Sequence, residues 1–251
     1  MRIVTTPLAA GVPMPSPRPC GCPPRLLDAV VGPEAVAAQV ARLRDAGTVA
    51  VTTGQQPGLF TGPLYTVYKA LSAAALARRL EREWQRAVVP VFWLATDDHD
   101  FAEANQAAWL AADGSLRHHV LRERPADGPL TPMYREPLGA DVGAALELLR
   151  ADLDGASGRD DVMAWLERHY RPDATVGGAY GGALAELLAP FGVVCVDASS
   201  RALKGDAAPL LLRALERSAE LEAPLVELAA RLAEQHVDPG VAVGDGATLV
   251  F

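Results

Sequence analysis

The residues best suited to chemistry in this 251-residue chain form an acidic run, Asp97-Asp98-His99-Asp100. Carboxylates can hold Mg²⁺ or a substrate ammonium group, and imidazole readily gains or loses a proton near neutral pH. Three acids within four residues repel one another unless a cation lies among them. The run therefore predicts catalytic roles for Asp98, His99 and Asp100, with helix capping by Asp98 or Asp100 as the structural alternative.

A glycine-rich loop is the second candidate. Gly54, Gly58 and Gly62 let the main chain approach a ligand closely, and the N-terminus of the helix predicted to follow favours an anion. The loop lacks a Walker A sequence and a clean G-x-G-x-x-G pattern, so a tight turn with capping residues is the structural alternative. The other residues predicted to bind substrate or phosphate are Gln55, Gln56, Thr61, Tyr65 and Lys69.

The elements around the two candidates predict that they lie side by side. A β-branched run at residues 48–52 ends before the loop, a helix is expected from Pro63 to about Arg86, and an apolar run at residues 88–94 ends at the acidic run. This order is typical of a βαβ unit with parallel strands and a right-handed crossover. Ligands of open α/β sheets bind beyond the carboxyl ends of the strands, where both candidates lie.

The remaining elements extend this α/β pattern. The helix after the loop is predicted to bury one apolar stripe, which consists of Leu64, Val67, Tyr68, Leu71 and Ala75. We therefore expect a parallel sheet with an inserted hairpin and additional helices. The pattern indicates a hairpin at residues 106–121, a strand at 192–196, and helices at about 141–153, 160–170, 178–188 and 207–235.

Composition and charge exclude several classes of protein. The formal net charge of −8, from 23 basic and 31 acidic residues, argues against a protein that mainly binds nucleic-acid phosphates. No apolar run is long enough to span a membrane, and the first residues lack the pattern of a signal peptide. The cysteines, Cys20, Cys22 and Cys195, have neither the number of a disulfide framework nor the spacing of a metal site, so a cytoplasmic protein is expected.

Two segments are expected along the chain. Residues 1–45 are predicted to form a proline- and glycine-rich arm followed by a short helix, and residues 46–251 to form the core with its insertions. The run Val241–Phe251 is typical of a hairpin whose second strand stops within an apolar segment, where main-chain groups would lack partners. We therefore expect the core to be incomplete at its C-terminal end.

Two stretches carry a specific resemblance to a known family. Residues 49–106 include TGQQPGLFTGPLYTVYK and VVPVFWLATDDHDFAEAN, and a fainter match follows at residues 191–204, FGVVCVDASSRALK. These stretches resemble the family of the bacillithiol biosynthesis cysteine-adding enzyme, BshC. The first position of the acidic run is more often Glu in that family, so Asp97 is a departure that shortens the reach of this carboxylate.

The resemblance implies both a fold and an activity. The implied fold is a Rossmann-like core similar to class I aminoacyl-tRNA synthetases and nucleotidyltransferases, with inserted segments and a C-terminal coiled coil that forms homodimers in longer members. The implied activity is a ligase that adds L-cysteine to glucosaminyl malate through an amide bond and forms bacillithiol. Synthetase loops hold ATP phosphates with two histidines, whereas this loop has none, so Thr61 and main-chain N–H groups are expected to substitute.

The resemblance also suggests roles for the candidate residues. A malate carboxylate is a poor electrophile, so amide formation needs activation, most simply by ATP with Mg²⁺. The loop at residues 54–62 would then hold anionic groups, and Lys69 would reach a phosphate or the malate. Asp98 and Asp100 would bind the cysteine ammonium or Mg²⁺, and His99 would deprotonate the attacking amine. A nucleotidyltransferase acting on another small molecule, and an inactive ligand-binding fragment, are the open alternatives.

Overall fold

The structure is a computed structural model that describes residues 16–17, 25–125, 127–238 and 240. The predicted N-terminal arm, with Cys20 and Cys22, therefore lies outside the described residues except at residues 16 and 17, as does the predicted hairpin Val241–Phe251. The described residues divide into two compact units, one containing Val30–Asp197 and the other containing residues 25–29 and 198–238. The domain boundary expected near residue 45 stays a prediction.

The first unit contains all the strands of the described residues. Its elements, in chain order, are α1 (Ala37–Leu43), β1 (Val49–Gln55), α2 (Tyr65–Trp84), β2 (Val88–Leu94), α3 (Phe101–Ala104), β3 (Gln106–Leu110), β4 (Leu116–Val120), α4 (Asp141–Asp152), α5 (Arg159–His169), α6 (Val176–Leu188) and β5 (Val194–Asp197). Short 3₁₀ turns occupy Pro33–Val36, Leu59–Thr61 and Ala189–Phe191.

The central sheet is parallel, with strand order β1-β2-β5. The middle strand, β2, is buried at every residue except Trp93. A parallel strand covered on both faces needs apolar side chains throughout, which explains why its sequence is a continuous apolar run. The predicted βαβ unit and α/β fold class are therefore confirmed.

The predicted apolar stripe of α2 is wrong. Leu64 and Tyr68 are 66% and 62% exposed, and the helix turns another face toward β1 and β2. Small side chains allow the closest approach of a helix to a sheet, so most of the alanines of this helix face inward. Its larger apolar residues also recur at helical spacing, but on a different face. The buried residues of α2 are Thr66, Ala70, Ala73, Ala74, Ala77 and Leu80.

The segment between β2 and β5 surrounds the glycine loop with an apolar core. Strands β3 and β4 form the predicted antiparallel hairpin, and α4, α5 and α6 lie close to their predicted ranges. Leu59 of the loop and Phe101 of α3 belong to the same buried cluster as Met133, Met163 and Tyr170. The inserted segment thus packs directly against both candidate segments.

The second unit contains two helices where one was predicted. Helix α7 spans Arg201–Glu216 and α8 spans Ser218–Glu234, so the expected helix at 207–235 begins earlier and is interrupted. Ser200 accepts the N–H of Leu203 and caps the start of α7. Arg217, with φ −108° and ψ 20°, leaves the helical conformation and separates the two helices.

Candidate functional site

The three parallel strands end together at one edge of the sheet. In the strand register Gln55 lies opposite Leu94, and Leu94 lies opposite Asp197. The buried Thr96, just beyond β2, donates its hydroxyl hydrogen to the Asp197 carboxylate and so joins the ends of β2 and β5. This carboxyl edge is where ligands bind in open α/β sheets.

Hydrogen bonds bring the glycine loop and the acidic run together at this edge. The Gln56 side-chain amide donates to Asp98 Oδ2 over 2.6 Å, and Lys69 Nζ donates to Gln55 Oε1 over 3.0 Å. Lys69 also lies 5.8 Å from the centre of the Tyr65 ring, one helical turn away, within reach of a cation–π contact. The predicted proximity of the two segments is therefore confirmed.

The carboxylates of the acidic run shape its main chain. Asp98 Oδ1 accepts the N–H of Asp100 over 2.8 Å, and Asp100 Oδ1 accepts the N–H of Glu103 over 3.1 Å, which caps α3. Burial raises the pKa of Asp98, but hydrogen bonds from the Asp100 main chain and the Gln56 side chain outweigh it, and the pKa lies below its ordinary value. Asp98 is therefore an anion at neutral pH, with unused lone pairs for a cation.

The imidazole of His99 is exposed, while its main chain is anchored. The His99 carbonyl oxygen accepts the N–H of Phe101 over 2.9 Å and Arg124 Nη1 over 3.0 Å. The Arg124 guanidinium also lies 5.1 Å from the Phe101 ring centre and binds Glu136 over 2.8 Å. The neighbouring Asp97 is exposed. The fixed backbone of the acidic run thus carries the exposed side chains of Asp97, His99 and Asp100 and the half-buried side chain of Asp98.

Sequence reasoning missed several residues that support the acidic run. The main-chain N–H groups of Met133 and Tyr134 donate to the carbonyl oxygens of Asp98 and Thr96, each over 2.8 Å. These contacts, like those of Arg124, come from the inserted segment and carry no local signal. Asp197 did carry a local sequence signal, because a predicted strand of the same sheet stops at this residue.

Two of the loop glycines permit close approach of the backbone to itself and to β2. A Cβ on Gly54, which lies in β1, would come within 2.7 Å of the Trp93 carbonyl oxygen, and one on Gly58 within 2.7 Å of the Gly62 Cα. Both distances are far inside van der Waals contact. Packing accounts for Gly54 and Gly58, and their role in ligand binding stays a prediction.

The main chain of the loop already uses two of the N–H groups expected to bind an anion. The N–H of the buried Thr61 donates to the hydroxyl of Tyr170 over 2.7 Å, and the N–H of Gly62 donates to the Leu59 carbonyl oxygen over 3.0 Å. If these two main-chain N–H groups bound an anion in place of the synthetase histidines, both of these hydrogen bonds would have to break. The positive charge of Lys69 and the N-terminus of α2 are the alternative sources of attraction.

Among the described residues, no group of three or more His, Cys, Asp or Glu side chains is arranged to hold a metal ion. Mg²⁺ that is bound mainly by substrate phosphates needs only one or two carboxylates, so the expected Mg²⁺ stays a prediction centred on Asp98. Within the same residues, no helix has the length and apolar character needed to cross a membrane.

Comparison with known proteins gives a consistent result. Residues 27–251 match the family model described as "Bacillithiol biosynthesis BshC, N-terminal Rossmann-like domain". A relative from Solibacter usitatus, named "Putative cysteine ligase BshC", is 39% identical over 224 residues, which are 88% of this chain and 41% of the relative. Relatives of the same name from Koribacter versatilis and Prosthecochloris aestuarii are 36% and 31% identical over 87% and 77% of this chain.

The chain covers only part of these relatives. It spans 41%, 40% and 34% of the lengths of the proteins from Solibacter usitatus, Koribacter versatilis and Prosthecochloris aestuarii. The matched part is the α/β domain that contains the glycine loop and the acidic run.

Proposed function

Because the chain belongs to the BshC family and contains its N-terminal Rossmann-like domain, we propose that it provides the catalytic core of a cysteine ligase. This ligase adds L-cysteine to glucosaminyl malate and forms bacillithiol. The observation that carries the proposal is the 2.6 Å hydrogen bond between Gln56 and Asp98, which joins the two candidate segments where α/β enzymes bind their ligands. The names of the relatives support the ligase activity.

Asp98 is the proposed binding group for the cysteine ammonium. Its carboxylate accepts hydrogen bonds from the Gln56 side chain and from the main chains of Asp100 and His99, and a carboxylate has about four acceptor sites, so capacity for a further donor is left. Its lowered pKa keeps it anionic. Asp100 uses one carboxylate oxygen to cap α3 and can offer the other to the same ammonium.

This assignment determines which groups react. A cysteine ammonium held by Asp98 cannot attack as a nucleophile. The cysteine carboxylate, rather than the malate carboxylate expected from the sequence, is therefore the group that becomes activated, and the amino group of glucosaminyl malate is the nucleophile. The exposed imidazole of His99 can accept a proton from that amine as the C–N bond forms. The leaving group departs with one oxygen of the former carboxylate, which balances the amide formation.

Lys69 and the start of α2 are the proposed anion-binding groups. The Lys69 ammonium is half-buried and bound to Gln55, so it is directed toward the carboxyl edge of the sheet. Helix α2 has 20 residues, long enough for a substantial dipole at its N-terminus. These groups fit the phosphates of ATP, which would supply the leaving group for the carboxylate, with Mg²⁺ balancing the phosphate charge.

A product assay tests this function. The purified protein is incubated with ATP, Mg²⁺, glucosaminyl malate and cysteine labelled with ¹⁸O in its carboxylate. The proposal predicts a product with the mass of bacillithiol and transfer of one ¹⁸O to the released phosphate or nucleotide. A nucleotidylated sugar would instead favour the nucleotidyltransferase alternative, and calorimetric binding of substrates without turnover would favour the inactive ligand-binding alternative.

The setting of the reaction is part of the same proposal. ATP and reduced cysteine are cytoplasmic metabolites, so we place the enzyme in the cytoplasm with small-molecule substrates and no nucleic-acid or membrane partner. The whole enzyme is expected to act as a homodimer through a coiled coil. Analytical ultracentrifugation of the gene product gives its oligomeric state directly.

A further inference from the structure

A buried tyrosine from the inserted segment contacts the main chain of the glycine loop. Tyr170 directly follows α5 and is 1% exposed. Its hydroxyl oxygen accepts the N–H of Thr61 over 2.7 Å and lies 3.5 Å from the carbonyl oxygen of Gly58, to which it donates. The Tyr170 hydroxyl therefore binds the loop at two points, although Tyr170 and Thr61 are more than one hundred positions apart in the sequence.

The loop has an unusual backbone conformation at the point of this contact. Phe60, Thr61 and Gly62 have φ angles of 53°, 74° and 74°. A positive φ is unfavourable for residues other than glycine, especially for a β-branched residue such as Thr61. Such conformations persist where the surrounding structure overdetermines them, and they cluster at functional sites.

Tyr170 contacts both strained non-glycine residues. Its ring packs edge-on against the Phe60 ring, with centres 5.3 Å apart and an interplanar angle of 76°, while its hydroxyl binds Thr61. Burial raises the pKa of Tyr170 far above its ordinary value, so the hydroxyl keeps its proton and can accept and donate at once. The contact is therefore maintained over the whole physiological pH range.

We propose that Tyr170 is a positioning residue, whose hydroxyl holds the Gly58–Gly62 turn in the conformation that orients Gln55, Gln56 and the start of α2 toward the anionic substrate groups. This inference rests on the proposed function for the identity of those groups. It assigns the inserted α5 segment a role in preparing the loop before substrate arrives.

The test compares two tyrosine variants that each remove one oxygen atom. Tyr170→Phe removes the hydroxyl but keeps the ring against Phe60. Tyr180→Phe is the matched control, because Tyr180 is fully buried and its hydroxyl has no hydrogen-bond partner among the described residues. Removing an unpaired buried hydroxyl should leave the loop unchanged.

The first measurement is hydrogen exchange at the Thr61 amide, which needs no substrate. Tyr170→Phe should speed up this exchange by about tenfold, while Tyr180→Phe and the amides of β2 should match the wild type. Unchanged exchange in Tyr170→Phe would overturn the inference. This measurement tests the contact between Tyr170 and Thr61 independently of whether the protein is a ligase.

The second measurement separates positioning from a merely structural contact. In the ligase assay, Tyr170→Phe should raise the KM for ATP by about tenfold with a smaller change in kcat, since the loop binds rather than reacts. Faster exchange together with an unchanged KM would overturn the positioning role. If the wild type forms no product, the proposed function fails, and the affinity for ATP measured by calorimetry replaces KM in the same comparison.

Discussion

The segments that follow β1 and β2 reach the same edge of the sheet but are held there by different forces. The glycine loop is fixed by packing and by the hydrogen bond that the Thr61 N–H donates to the Tyr170 hydroxyl. The acidic run is fixed by its own carboxylates, since Asp98 and Asp100 bind main-chain N–H groups within the run and in α3, and by main-chain contacts from the inserted segment. We infer from this difference that the loop mainly determines the shape of the site and the acidic run mainly determines its charge.

The comparison predicts a different pattern of mutational effects for each segment, and experiments can test both patterns. Substitutions in the acidic run should reduce activity with little loss of stability, whereas substitutions in the loop should reduce stability or ligand affinity. A variant of either segment that shows the opposite pattern would contradict this inference.

The largest effect is expected for Asp98→Asn, which removes the charge but keeps the shape. The loss of a charged hydrogen bond to the cysteine ammonium should lower kcat/KM for cysteine by about 100-fold. Asp113→Asn is the matched control, because Asp113 also has a lowered pKa and binds a neighbouring main-chain N–H, but lies in the turn of the hairpin. Equal losses in the two variants would show that the charge of Asp98 has no special role.

Gly54→Ala should destabilise the fold by about 2 kcal/mol, because its Cβ would overlap the Trp93 backbone and side chain. Gly143→Ala is the control, since Gly143 lies in α4 and the added Cβ would meet nothing within 4 Å beyond its chain neighbours and the backbone of its own helix, and it should be neutral or stabilising. Urea denaturation of both variants measures the difference. A Gly54→Ala protein of wild-type stability would remove the packing explanation for this glycine.

Arg124→Gln should lower kcat by about tenfold, because Arg124 anchors the backbone that carries His99. The free energy of unfolding should change less than the activity does. Arg79→Gln, which breaks an exposed ion pair with Glu83 on α2, should leave both quantities unchanged. An Arg124 variant with normal kcat would show that the His99 backbone needs no anchor from the inserted segment.

The smallest effect concerns the pH dependence of stability. The pKa of Asp98 is lower in the folded protein than its ordinary value of 3.8, so its contribution to stability is present above that value and is lost as the pH falls through the folded pKa. The unfolding free energies of wild type and Asp98→Asn should therefore differ by a constant amount near neutral pH and converge in acid. The difference should stay below about 1 kcal/mol, because solvent screens this half-buried carboxylate.

Local patterns in the sequence were enough to predict the parallel sheet and the proximity of the two candidate segments. The continuous apolar run at residues 88–94 identified the central strand, and the order of strand, loop, helix and strand placed the two candidate segments side by side. The buried face of α2 could not be predicted in this way, because alanines occupy several of its faces and only the packed sheet selects one. The interruption at Arg217 likewise lies within a continuous helical pattern.

The contacts that fix the site could not be predicted from local patterns. Tyr170 lies 109 positions from Thr61, and Arg124 lies 25 positions from His99. Both come from the inserted segment, whose path over the sheet depends on the packing of a whole apolar cluster around Leu59. Residue type and spacing indicate candidate groups for a reaction, whereas the contacts that position those groups emerge only with the tertiary structure.

The most direct test of the central claim is the profile of low-molecular-weight thiols in the source organism, measured by mass spectrometry with and without the gene for this chain. The account predicts that deletion removes bacillithiol and causes glucosaminyl malate to accumulate, and that the wild-type gene restores the thiol whereas the His99→Ala gene does not. An unchanged thiol profile after deletion would contradict the assignment of this site to cysteine ligation.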